Sequence, residues 1–383
     1  MISLERSDPT AFCGIVIRGD RQLVSELNVT TVLSYVNALD LLPCVKVLAQ
    51  TLESSSFFQL YIASQHTSVW APDFNTLGLS EILHLDPIRH DEDLLREILL
   101  TMLMSPIAIE FPSLEELKSS VRIRGNIVRA ARKTTLAFQT SAAERPQDCW
   151  VYDDEWGFVI RPGASLITAL MKATQPEFSG GLFSFSCYRA SEYVILLGIA
   201  QELQHCNPDL YLQLQSQWMR RPIKSGEFHD VFLHEQGSME TPLPPYFFVP
   251  GDRTWFRNPD EASADASGFE GSWVVYLGGG LFSNFWKYDQ PYTLHAKCLE
   301  IYHWRDGLYR DEQGEERIDE AKVQALVERS FQDPCEVTRI LALMKRYREP
   351  RGIYTAAGGC IDTTREFPRH VCPGTATLVL PSR

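Results

Sequence analysis

Residues 183 to 205 read F-S-F-S-C-Y-R-A-S-E-Y-V-I-L-L-G-I-A-Q-E-L-Q-H, and this stretch decides the fold. From Cys187 an apolar run centred on Val194-Ile195-Leu196-Leu197-Gly198-Ile199-Ala200 continues without proline for about five helical turns. Ser186 stands where a hydroxyl can accept a bond from one of the unpaired first-turn amides. Cys187 therefore falls in the first turn of the helix, where the aligned peptide dipoles favour an anion and lower a thiol pKa. The same position also suits a purely structural Cys, because free Cys is among the most buried residue types.

Outward from that helix, a chain of 383 residues exceeds most single cores and predicts two domains or one core with large additions. Hydrophobic content of 44% and charged content of 22% are those of an ordinary soluble globular protein. A net charge of −13 argues against broad nucleic-acid binding. The nine Cys are dispersed with no C-x-x-C pair, which gives no support to a zinc ribbon and suits reduced thiols in a cytoplasmic protein. The opening M-I-S-L-E-R-S-D-P lacks a secretory pattern, and no apolar run has the length of a membrane helix. No cofactor or metal is expected. His66, His84 and His90 read as surface residues, since Pro87 keeps Asp86 and His90 off a shared helix face.

On the N-terminal side, residues 1–104 form a front section without assignable chemistry. Gly14 to Arg18 predicts a strand, Thr30 to Ala49 a helical pattern, and Leu94 to Met104 a second helix. Ser113-Leu114-Glu115-Glu116 is a capping-box pattern that opens a helix through Ala131. The Arg122, Arg124, Arg129, Arg132 and Lys133 side chains on it read as a solvated face. Cys149 to Arg161 predicts a hairpin.

On the C-terminal side, Phe247 to Phe256 reads as a turn entering a buried strand, ended by Asn258-Pro259. Ser272 to Trp286 is the clearest hairpin, turning at Gly278-Gly279-Gly280, a run that lacks the Lys-Ser/Thr of a phosphate loop. Thr293 to Arg305 is ambiguous between helix and strand. Asp319–Arg329 and Pro334–Arg348 read as amphipathic helices, and the tail from Pro350 as loop.

A Cys at a helix start, followed by a sheet carrying His and acidic residues, is the papain-like order of elements. Residues 105 to 290 resemble the small calcium-independent transglutaminases that cross-link spore coats. The resemblance rests on Ser105-Pro106 with Ser113 to Ala131, on F-S-C before the apolar helix, on F-F-V-P-G-D-R-T-W-F-R-N-P, and on G-S-W-V-V-Y-L-G-G-G-L-F. It implies an α+β fold: a papain-like core over 105–310 with a central helix on an antiparallel sheet, an N-terminal extension, and C-terminal helices over 311–383.

The resemblance further implies acyl transfer. A Cys, here Cys187, attacks a glutamine amide, ammonia leaves, and a lysine amine takes the acyl group. The partners so implied are protein glutamine and lysine side chains, or a small amide and amine. The chain departs from the family at other positions. Ser186 replaces a Glu before the Cys, Ser272 follows Gly271 where the family has Glu, and Asn284-Phe285-Trp286 stands where its His lies. His295 is then the candidate proton carrier, if a bend at Asp289-Gln290-Pro291 returns it to Cys187, and Glu270 the candidate orienting acid. Asp265 and Asn284 are fallbacks; Glu300 and His303 are unranked. General acid–base help is worth about 10² to 10⁴ in rate. Three readings follow: an active Cys-dependent acyltransferase, an inactive transglutaminase fold kept for binding or assembly, and an amide-forming or amide-hydrolysing tailoring enzyme.

Overall fold

In the computed structural model the described residues are 13–19, 26–51, 56–138, 143–349 and 358–381. The opening nine residues and part of the tail after Pro350 lie outside them. The fold is α+β.

The Cys187–Cys206 helix is buried along nearly its whole length, from Ala190 to Ala200 and again at Leu203. It packs on the Leu114–Lys133 helix and on strand Gly271–Gly278. Gly198 makes the helix crossing possible, because a Cβ there would stand 2.5 Å from Ile127 Cγ1 and 3.0 Å from Ile127 N. The Leu114–Lys133 helix starts as its sequence demands, with Ser113 Oγ accepting from the Glu116 amide at 3.1 Å.

The main sheet is antiparallel, in the order Tyr292–Thr293, Leu281–Phe282, Gly271–Gly278, Arg253–Arg257, Arg365–Pro368, Leu233–Gln236. Strand alternation gives it two apolar faces. Val275 and Leu277 join the cluster around the Cys187 helix. Val274 and Tyr276 join a second cluster, under the helices Leu294–Gly307, Glu320–Phe331 and Pro334–Met344. A smaller sheet, ordered Val45–Thr51, Ser56–Ile62, Ile15–Gly19, Ile109–Phe111, shares the first cluster. Its Ile15–Gly19 and Ile109–Phe111 strands pair in parallel, so the front section is knitted into one core with the chain beyond residue 105.

The glycine turn at 278–280 is a hairpin with all three residues at positive φ. The Glu97 carboxylate holds it, accepting from Gly279 N at 3.0 and 3.1 Å, from Tyr276 OH at 3.1 Å and from Ser80 Oγ at 2.7 Å. Glu97 is fully buried, and that burial pushes its carboxyl pKa up.

Three expectations are corrected. The helical pattern over Thr30 to Ala49 ends at Ala38, and Val45–Thr51 is a strand. The cationic face of the Leu114–Lys133 helix is not simply solvated: Arg124 is buried and bonds Asp252 Oδ1 at 2.7 Å, Arg122 bonds Glu202, and Arg132 donates to Leu277 O at 2.8 Å. The tail supplies strand Arg365–Pro368 to the main sheet. Thr293 to Arg305 resolves as helix, from Leu294 to Gly307.

Candidate active site

Ser186 takes extended backbone, φ −81 and ψ 158, and its hydroxyl accepts from the Arg189 amide at 3.3 Å. That leaves the Tyr188 amide of the first turn, which is directed at the sulfur of Cys187. A second amide reaches the sulfur from the sheet. On strand Gly271–Gly278 the Val275 amide donates to Ser283 Oγ at 3.0 Å. Two residues back the alternation directs N–H to the same side, beyond the ladder with Leu281–Phe282, and the Trp273 amide meets Cys187.

Two amide donors favour a thiolate, yet burial opposes it more strongly, and the Cys187 thiol is pushed above its ordinary value of 9.0. The expected lowering of this pKa by the helix terminus is therefore overturned. Desolvation outweighs both amides and the nearby ammonium of Lys297, and the Glu270 charge adds to the upward shift.

Cys187 lies on a cleft of about 610 Å³, with Ser272, Asn284, Trp286, Lys297 and Glu300 around it. The helix Glu320–Phe331 closes the far wall through Glu320, Val327 and Phe331. Lys297, Glu300 and Trp304 share one face of the Leu294–Gly307 helix, at i, i+3 and i+7. The Lys297 side chain is buried, 2% exposed; its Nζ donates to Glu300 Oε2 at 2.8 Å and stands 3.5 Å from the centre of the Tyr292 ring. Burial pulls its pKa down, but Glu300, Tyr292 and the Cys187 sulfur together hold it above the ordinary 10.5. A protonated amine thus faces an un-ionised thiol.

The bend at Asp289-Gln290-Pro291 exists, and Asn284 ties it: Nδ2 donates to Gln290 O at 3.0 Å while Oδ1 accepts from the Trp286 and Lys287 amides at 3.2 Å. The group that the bend returns to the cleft is Lys297. His295, two residues earlier and about 200° around the helix, is exposed, and partial burial together with Lys345 pulls its pKa down. Glu270 is exposed and acts on the sulfur only through its charge. Asp265 is exposed just after the short helix Glu261–Ala264. His303 is buried away from the cleft lining, with Nδ1 on Asp306 Oδ2 and Nε2 on Ser330 Oγ, both at 2.8 Å. Sequence reasoning missed Lys297 altogether. The available signal was a Lys set among Leu294, Cys298, Leu299 and Ile301, with Glu300 one turn on.

Among the described residues no group of three or more His, Cys, Asp or Glu is gathered as metal ligands would be. No helix there is long and apolar enough to cross a membrane.

The model of the protein-glutamine gamma-glutamyltransferase family matches residues 82–359, more than half of the chain. The chain belongs to that family. A transglutaminase from Geobacillus stearothermophilus, without its C-terminal extension, is similar at 17% identity over 56% of this chain and 98% of its own, with a TM-score of 0.38. Comparison with curated protein sequences gives no match. The stretch that matches the transglutaminase family takes in the Cys187 helix, the hairpin and the cleft-facing helices alike.

Proposed function

We propose that this transglutaminase-family chain is a Cys-dependent acyltransferase in which Cys187 is the nucleophile and Lys297, held by Glu300, carries the proton. The observation that supports the reading best is that the Tyr188 amide, the Trp273 amide and the Lys297 ammonium all act on the sulfur of Cys187, a residue that lines the cleft.

In the proposed cycle the thiol first releases its proton to solvent, and the thiolate forms beside the Lys297 ammonium. The sulfur attacks a carboxamide carbon, and the amides that met the sulfur are placed to bond the developing oxyanion. As the C–N bond breaks, Lys297 gives a proton to the leaving nitrogen; ammonia departs and a thioester remains. An amine then attacks the thioester and gives its proton to the now neutral Lys297. The C–S bond breaks, leaving an amide and a thiolate. The acyl donor is a protein glutamine or a small amide, and the acceptor a lysine side chain or small amine. In this reading the core over 105–310 is completed by the helix Glu320–Phe331, which walls the cleft, and by the strand Arg365–Pro368 of the main sheet.

A second reading is a silent transglutaminase fold used for binding, and the raised Cys187 pKa favours it. Amine incorporation into a glutamine-bearing protein separates the two. The enzyme reading expects signal in the wild type that is lost in Cys187→Ala; equal signals in both remove it.

A further inference from the structure

The two amides that meet the Cys187 sulfur belong to Tyr188 and Trp273, and the rings of those two residues touch, edge to face, 5.2 Å between centres. One cation lies against both. The Arg253 guanidinium stands 4.6 Å from the centre of the Trp273 ring and 5.2 Å from that of Tyr188. Arg253 reaches Trp273 because the two are diagonal neighbours on adjacent strands: Arg253 pairs with Val275 and Trp255 with Trp273, which places all four on one sheet face. The Trp255 ring stacks on Trp273 from the same side.

Arg253 is 1% exposed, and its Nη1 has no hydrogen-bond partner among the described residues. A buried guanidinium N–H without an oxygen acceptor is costly unless aromatic faces take its place. Its Nε donates to Glu366 Oε2, and Glu366 Oε1 meets His229 Nδ1 at 2.7 Å. Glu366 comes from strand Arg365–Pro368, and His229 from the helix Ser225–Phe232. Three separate elements therefore converge on Tyr188 and Trp273: the strand of Arg253, the strand of Glu366 and the helix of His229.

We infer that Arg253 is a positioning residue: held by Glu366 and His229, it fixes the Tyr188 and Trp273 rings so that both backbone amides stay aimed at the Cys187 sulfur. The assignment rests on the reading of Cys187 as the reactive group. Its test reads thiol chemistry directly, so a failure to detect acyl transfer leaves it standing.

The experiment follows alkylation of Cys187 by iodoacetamide against pH, by peptide mass spectrometry, in the full chain and in Arg253→Met, Arg253→Lys, Glu366→Gln and His229→Asn. Thermal midpoints are recorded alongside. Loss of two donors to the thiolate raises its pKa, so the alkylation midpoint of Arg253→Met moves up by about one pH unit. The rate at pH 8 falls only about threefold, because a more basic thiolate is also a better nucleophile. Arg253→Lys keeps a cation against the rings and recovers at least half of the shift; Glu366→Gln and His229→Asn shift the midpoint in the same direction by less. A folded Arg253→Met with an unchanged midpoint overturns the assignment. If Arg253→Met does not fold, an unchanged midpoint in Glu366→Gln overturns it equally.

Discussion

The Lys297 ammonium acts on the Cys187 sulfur from a helix face that also carries Glu300, one turn on. The pair could serve as a fixed charge or as a proton carrier, and chemistry separates the two. An Arg keeps the charge but does not release a proton in proteins. If Lys297 carries protons, Lys297→Met and Lys297→Arg both lower amine incorporation by about 10² to 10⁴. If it only supplies charge, Lys297→Arg stays within about tenfold of the wild type. Initial rates with a glutamine protein and a fluorescent amine decide between them.

Burial holds the Cys187 thiol above 9.0. For a group whose ionised form is the anion, an upward shift keeps it neutral across the physiological range, with under about 1% thiolate at pH 7. Alkylation of Cys187 therefore rises about tenfold per unit between pH 7 and 8 and does not level off below pH 9. Lys297, held above 10.5, stays protonated throughout that window. Acyl transfer accordingly rises toward alkaline pH. A plateau already reached at pH 7, in stopped alkylation or in turnover, contradicts an upward shift of the thiol.

How much of the fold and site is legible in the sequence depends on whether the deciding force is local. The Ser186 and Ser113 caps, the Cys187 helix and the glycine hairpin are set by hydrogen bonds and periodicity within a few residues, and all are readable. Strand Val45–Thr51 is not, because Val45 and Val47 continue the apolar pattern of the preceding helix past Pro43, and only pairing with Ser56–Ile62 decides it. Strand Arg365–Pro368 is polar and ends in proline; its place is set by partners far away in the chain. At the site, Lys297 is hidden because an isolated Lys in a helical pattern reads as a solvated residue. The thiol pKa is misjudged from sequence because a helix terminus can be seen there and desolvation cannot.

The crossing of the two central helices is tight at Gly198. A methyl group there meets Ile127 Cγ1 at 2.5 Å and the Ile127 backbone at 3.0 Å. Gly198→Ala gains helix propensity of about 1 kcal/mol, yet overpacking costs about 1–3 kcal/mol. The clash wins because one of the atoms met is backbone, so the variant unfolds at lower temperature in calorimetry. A rise in the midpoint would show that the helices can slide apart freely.

Glu97 accepts from three buried or half-buried donors, two in the glycine hairpin and one in the helix Leu79–Leu83. Glu97→Ala leaves the Gly279 amide and the Tyr276 and Ser80 hydroxyls without that acceptor, at about 1–3 kcal/mol for each group left unsatisfied. A total loss of about 3 kcal/mol or more is expected in urea unfolding. Glu97→Gln, which retains one carbonyl oxygen, loses less. Equal losses in the two variants would mean that side-chain volume, rather than bonding, matters at this position.

Glu366 and Arg253 lie 113 positions apart, yet they share one buried bond in neighbouring strands. During synthesis the ribosome delivers Cys187, Trp273 and Lys297 well before it delivers the strand that completes their support. A nascent chain stopped short of residue 366 carries the sulfur without its brace. The two amides beside Cys187 therefore gain their support only once translation has passed the last strand of the sheet.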